Sequence, residues 1–209
     1  MKGRIDSTDG RVWTFGAIGA VVALGVGVRL VGSAAKKKDV DWRLVERISD
    51  SWRERLSDQW EGDLIEEPPS FIWTDFQKRF GIEYLGCGST RCVFRLPSGH
   101  VLKLPLGEWG EAANDSEAES WYDSETDPLV RNFLVPIVGG GPGGIVMEHA
   151  LSIPEERWDE LYEYWNEWIE LLEASRPGAD TKDFDATWNW GLHDGKFKLI
   201  DYESISAGG

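Results

Sequence analysis

The sequence predicts an α+β domain with an antiparallel sheet, preceded by one transmembrane helix, and three observations predict it. Residues 82–106, IEYLGCGSTRCVFRLPSGHVLKLPL, alternate and turn like successive antiparallel strands. Residues 152–178, SIPEERWDELYEYWNEWIELLEASRPG, set Trp158, Leu161, Trp165, Trp168 and Leu172 on one face of a long helix. Residues 12–35, VWTFGAIGAVVALGVGVRLVGSAA, hold no charge between Val12 and Val28.

That last run sets the expected domain organisation: a tail and transmembrane helix over 1–38, an amphipathic helix and linker over 39–69, and a folded domain over 70–209. A bilayer core asks for about 20 apolar residues, and Arg29 near one end can snorkel to the interface. The small residues Ser33–Ala35 also suit a signal-peptide cleavage site, although three lysines stand just beyond it. Lys36–Lys38, Arg43 and Arg47 outweigh Lys2, Arg4 and Arg11, so the expectation is a single-pass membrane protein whose lipid contact is 12–35 and whose C-terminal domain is cytoplasmic.

Charge divides the chain at the same place. The first 38 residues carry seven Lys/Arg against two Asp, leaving 35 acids against 15 bases in the rest of a chain whose net charge is −15. A domain with that excess of acid repels phosphate backbones, which excludes general nucleic-acid binding. So much Asp and Glu with so little Lys resembles the surfaces of halophilic proteins, where molar salt screens the self-repulsion. The two cysteines, Cys87 and Cys92, are five apart with no third to build a metal cluster, and are read as reduced thiols.

The elements follow in order. Residues 39–60 place Trp42, Val45, Ile48, Trp52, Leu56 and Trp60 at helical spacing with charges between them, an amphipathic helix suited to packing on the domain that follows. EEPPS, 66–70, is a linker. FIWTDFQKRFG, 71–81, reads as a helix closed by Gly81, and three strands follow, the last two joined at PSGH. GEAANDSEAESWYDS is a helix, and LVPIVGGGPGGIVMEHA is two strands joined by a glycine-rich turn. The long helix opens on a Ser152/Glu155 capping pattern with Pro154 and stops at Pro177-Gly178. NWGLHDGKFKLIDYE, 189–203, closes the set as a hairpin turning at Asp194-Gly195, with Asp201 following its second strand.

Five features in this order resemble the protein-kinase-like fold, in particular the short kinase-like proteins of phages and archaeal viruses. LGCGSTRCVFRL is similar to the kinase glycine-rich loop, with Gly86, Gly88 and Val93 in matching places and Arg91 where the third glycine would stand. A plain hairpin turn accounts for the two glycines equally well. Lys103 in HVLKLP matches the strand-3 lysine, and Glu117 in the next helix matches its glutamate partner, with Glu111 and Glu119 as rivals. IVMEHA resembles the hinge, Met147 as gatekeeper and Glu148–Ala150 as the backbone edge that meets an adenine. Asn189 and Asp201 match the two residues that hold Mg²⁺, a hard cation that takes few protein ligands, all oxygen.

The resemblance implies an N-lobe sheet with its helix, a truncated C-lobe, ATP and Mg²⁺ as cofactors, and phosphoryl transfer to a protein. Lys103 would position the phosphates, and Asp185 or Asp183 would orient the acceptor. The sequence also departs from the family: there is no HRD motif, and Phe184 stands five residues before Asn189, where the catalytic base belongs. Only eight residues follow Asp201, without an activation segment. These departures favour a rival reading, a pseudokinase or a virion or membrane interaction scaffold; a third is a purely structural membrane protein whose resemblance to kinases is accidental.

Overall fold

A computed structural model describes residues 39–59, 70–123, 127–141, 143–175 and 182–202, all within one compact unit, Lys36–Gly209. Its helices are α1 (Trp42–Gln59), α2 (Ser70–Phe80), α3 (Glu108–Asp123), the single turn α4 (Pro128–Arg131) and α5 (Trp158–Ser175). Its strands are β1 (Glu83–Cys87), β2 (Arg91–Arg95), β3 (Val101–Pro105), β4 (Ile137–Gly141), β5 (Gly144–Met147), β6 (Trp190–His193) and β7 (Lys196–Leu199). The class is α+β with antiparallel sheets, but the expectation of a preceding transmembrane helix is corrected. No helix among the described residues is long and apolar enough to cross a membrane, and residues 12–35 lie outside the described residues.

Local chemistry fixes the element ends. The Asp41 carboxylate accepts from the backbone N–H groups of Arg43 and Leu44 at 3.1 and 3.2 Å, satisfying donors that the first turn of α1 leaves open. At the far end of α2 the Gly81 and Ile82 N–H groups both return to the Gln77 carbonyl. The β6–β7 turn has positive φ at both Asp194 (52°) and Gly195 (76°), the geometry that selects an Asp-Gly pair. The long helix starts later than its capping pattern predicts: a 3₁₀ turn, Glu155–Arg157, precedes α5, and its N-cap is Pro154 with no side-chain cap bond. Proline biases the residue before it toward extended backbone, so Ser152 does not act as the cap.

Strands β1 to β5 form one sheet in the order β1-β2-β3-β5-β4, and β6 and β7 form a separate hairpin. In the sheet Lys103 lies opposite Val93 on one side and Ile145 on the other, at its centre. Helices α1 and α2 cover one face, where Val45, Ile48, Trp52, Phe76 and Phe80 close over Phe94, Leu102, Leu104 and Val146. Trp52 also donates its indole N–H to the Pro105 carbonyl at 2.7 Å, so its polar end is satisfied within this core.

The second core lies among α3, α5 and the hairpin. Trp121, Val130, Leu134, Met147, Leu161, Trp168, Leu172, Phe184, Trp190, Phe197 and Tyr202 bury together. Of the predicted α5 stripe, Leu161, Trp168 and Leu172 are buried, while Trp158 at the first turn remains 37% exposed. A single parallel bridge, Leu134 to Leu199, ties the chain before β4 to β7. The Val135 N–H donates to the Leu199 carbonyl at 2.9 Å, and the Leu199 N–H to the Phe133 carbonyl at 2.7 Å. This stitch brings the end of β7, and Asp201 after it, beneath the centre of the sheet.

The cysteines also differ from expectation. Cys87 and Cys92 are direct cross-strand partners of β1 and β2 with Cα atoms 4.1 Å apart, and they form a disulfide rather than two thiols. The register that pairs the strands aligns the sulfurs, which spacing along the chain does not reveal.

Candidate functional site

The site is a four-residue ionic cluster between the sheet, α3 and the end of the hairpin. Glu117 is fully buried on α3, on the same face as Gly110, Ala113, Asn114, Ser120 and Trp121, the face this helix turns to the protein. Lys103 reaches it from β3, donating to both carboxylate oxygens at 2.8 Å and to the Ile200 carbonyl at 2.6 Å. Arg91, the first residue of β2, donates to Glu117 at 2.7 Å through one terminal nitrogen and to Asp201 through the other. Lys103 lies 3.6 Å from the same Asp201 oxygen. The Tyr202 backbone N–H completes the set, donating to Glu117 at 3.3 Å.

Two cations and two carboxylates thus neutralise each other where sheet, helix and hairpin meet. A buried charge survives only when paired and hydrogen-bonded, and Glu117, Arg91 and Lys103 each meet that condition. Asp201 is the open side of the cluster, its side chain 41% exposed while those of Arg91 and Lys103 are 5% and 6%. Burial by itself would raise the Asp201 carboxyl, but the charges of Lys103 and Arg91 and their hydrogen bonds hold it below the usual carboxylate value. Burial pushes the Tyr202 phenol well above its ordinary value, helped by the Glu117 charge. Its hydroxyl donates to the Val135 carbonyl at 2.9 Å.

The structure brings Lys103, Glu117 and Asp201 together. Of the rival glutamates, Glu119 is exposed and Glu111 half-buried near the start of α3. Gly86 lies in β1 and Gly88 in the turn after it, where the Gly88 N–H donates to the Arg91 carbonyl at 2.9 Å. A Cβ at either glycine would meet nothing within 4 Å, so the surface above that turn is open. Val93, beside Lys103 in the sheet, packs on the second core, and Met147 is buried at the end of β5. The Glu148 N–H donates to the Pro136 carbonyl at 2.9 Å, and the Glu148 carboxylate bonds the His193 ring. Ala150 borders a cleft of about 330 Å³ with Leu151, Trp158, Trp188 and Ile200.

Asp185 and Asn189 line a neighbouring cleft of about 340 Å³ together with Tyr162 and Trp188. Phe184, five residues before Asn189, is buried edge-on against Trp168 with ring centroids 4.9 Å apart. Its carbonyl accepts the Trp190 indole N–H at 2.7 Å, so this segment is held by core packing. The Asp183 side chain lies outside the described residues. Asn189 approaches the cluster through its backbone, its carbonyl accepting from the Ile200 N–H at 2.8 Å.

The donor set does not fit Mg²⁺ as it stands. One oxygen of the carboxylate that would ligate the ion is engaged by a guanidinium and faces an ammonium, so a divalent cation there would compete with Arg91 for Asp201. Among the described residues no three His, Cys, Asp or Glu side chains form a group that could hold a metal ion.

Sequence reasoning missed two parts of this site. Arg91 was visible only as a departure from the glycine pattern, and nothing along the chain says that its head reaches α3 and the hairpin. Gly110 was not singled out at all. A Cβ there would stand 2.2 Å from the Thr90 carbonyl oxygen and 2.8 Å from the Pro105 Cα, so α3 can lie this close to the β1–β2 turn only with glycine at that point. Compared with known proteins, the chain matches no family model and no curated sequence.

Proposed function

We propose that this chain is a kinase-like nucleotide-binding protein that acts by binding rather than by phosphoryl transfer. The observation that carries the reading is the buried Lys103–Glu117 pair at 2.8 Å, which holds a cation of the central strand beside Asp201. A strand lysine held by a helix glutamate is the device with which kinases position nucleotide phosphates. The hinge-like edge after Met147 and the open turn at Gly86 and Gly88 support the same ligand, ATP or a related nucleotide.

Binding without transfer follows from the groups that chemistry would need. Phosphoryl transfer depends on positioning and on neutralising charge as it develops. Here Phe184 fills the base position with a buried ring, and Asp201 is committed to Arg91. Asp185 is exposed beside Asn189, while on the phosphate side Asp201 is held in an ion pair with Arg91. A nucleotide would then work as a structural ligand that stiffens the domain for a protein partner.

The test uses the whole chain, melted with and without ATP in molar KCl, with label transfer followed in parallel. A melting shift that Lys103→Ala removes, with no label transferred to the chain or to an added protein, is expected. Transfer that Asp201→Asn abolishes would overturn the binding-only reading, and no shift at all would overturn nucleotide binding.

A further inference from the structure

We propose that Arg91 takes the place of the divalent ion, so that nucleotide phosphates bind this site as the metal-free anion. The inference rests on the nucleotide-binding reading above and goes beyond it, because it says which charge meets the phosphates.

Three observations carry it. First, Arg91 stands at the start of β2, immediately after the glycine turn, and its guanidinium is buried between Glu117 and Asp201. Second, the Asp201 oxygen already engaged by Arg91 lies 3.6 Å from Lys103, so a cation added at that oxygen would face two positive groups. Third, the open side of the cluster is Asp201, and an anion arriving from that side meets Arg91 and Lys103 behind it.

A guanidinium is a planar fork of donors that matches phosphate oxygens in pairs and stays charged at any working pH. An incoming polyphosphate can therefore exchange with the Asp201 carboxylate as the partner of Arg91, one anion for another, while Glu117 keeps the inner nitrogen and the lysine. The released Asp201 side chain is 41% exposed, so water can take the place of the ion pair it gives up. With Mg²⁺ the exchange is worse on both sides: the ion reduces the negative charge of the nucleotide, and its own charge opposes Arg91 and Lys103.

Titration of the full-length chain with a fluorescent N-methylanthraniloyl ATP, excited by energy transfer from tryptophan, is compared in EDTA and in Mg²⁺ at matched ionic strength. The Kd in EDTA is expected to equal or fall below that in Mg²⁺. Arg91→Gln should weaken binding in EDTA by about tenfold or more, the scale of one charge-assisted hydrogen bond, while Arg91→Lys retains part of it. Binding that needs Mg²⁺ in the unaltered chain overturns the proposal and leaves nucleotide binding standing. Binding in EDTA that Arg91→Gln leaves untouched also overturns it. Absence of binding in both buffers overturns the underlying nucleotide reading as well. Should Arg91→Gln fail to fold, the buffer comparison and Arg91→Lys decide the matter, since Mg²⁺-independence and partial retention are both required.

Discussion

Lys103 and Glu117 meet through two hydrogen bonds of 2.8 Å in a position where both side chains are buried. The pair is unequal, because Glu117 also holds Arg91 and the Tyr202 N–H whereas Lys103 has the Ile200 carbonyl as its other close acceptor. Removing one member of a buried pair leaves the other charge uncompensated, at a cost of about 3–5 kcal/mol. Glu117→Ala leaves two buried cations to share the partly exposed Asp201 and should reach that range, whereas Lys103→Met leaves Glu117 with Arg91 and should cost roughly half as much. Urea denaturation of both variants checks the order, and a larger loss for Lys103→Met would contradict the geometry.

Gly110 on α3 and the two glycines of the β1–β2 segment should separate in the same assay. Gly110→Ala puts a methyl against the Thr90 carbonyl oxygen and the Pro105 backbone, neither of which can rotate away. The expected loss is about 1–3 kcal/mol, as for other overpacked sites. Gly86→Ala and Gly88→Ala meet open space at ordinary φ, so both should keep stability within about 1 kcal/mol, with any change favouring the folded state through a less flexible unfolded chain. Equal losses at Gly110 and Gly88 would show that α3 does not pack on the turn as described.

The contrast between those glycines shows what the sequence could and could not disclose. The strands of 82–106, the α5 stripe and the Asp-Gly hairpin were legible because each is a local pattern: alternation, a 3.6-residue period, or a dipeptide suited to positive φ. Lys103 and Glu117 were legible for a different reason, the resemblance that matches them to the strand lysine and helix glutamate of kinase-like proteins. Arg91, Gly110, the Leu134–Leu199 bridge and the Cys87–Cys92 bond were not, because each depends on which atoms the tertiary fold brings opposite one another. Arg91 and Asp201 are 110 residues apart and joined by one salt bridge, a relation that no window of sequence contains.

The disulfide gives the third test. Cys87 and Cys92 close a loop of six residues, for which chain-entropy reasoning gives about 2 kcal/mol. Thiol titration in denaturant should find no free cysteine, and reductant should lower the unfolding free energy by an amount of that order. Two titratable thiols in the unreduced chain would contradict the cross-strand bond. Because the bond borders the turn that ends at Arg91, reduction should also weaken nucleotide binding more than it weakens the fold.

Tyr164 offers a test at the alkaline end. Its ring sits against Phe133, Trp190 and Phe197, with centroids 5.4, 6.3 and 5.6 Å away. Burial there, reinforced by the charge of Glu167 along the same helix, pushes the phenol up to about 12. The folded value therefore lies above the unfolded one, near 10, so the neutral ring contributes stability that is fully present below pH 10 and lost as pH rises through about 12. Phenolate absorbance at 295 nm, taken as the difference between the unaltered chain and Tyr164→Phe, should show a component with its midpoint near 12 while the fold persists. The phenylalanine variant should resist alkaline unfolding better, because it removes a group whose ionisation drives the domain apart. A difference component near 10 would place Tyr164 in water and would contradict its packing between α5 and the hairpin.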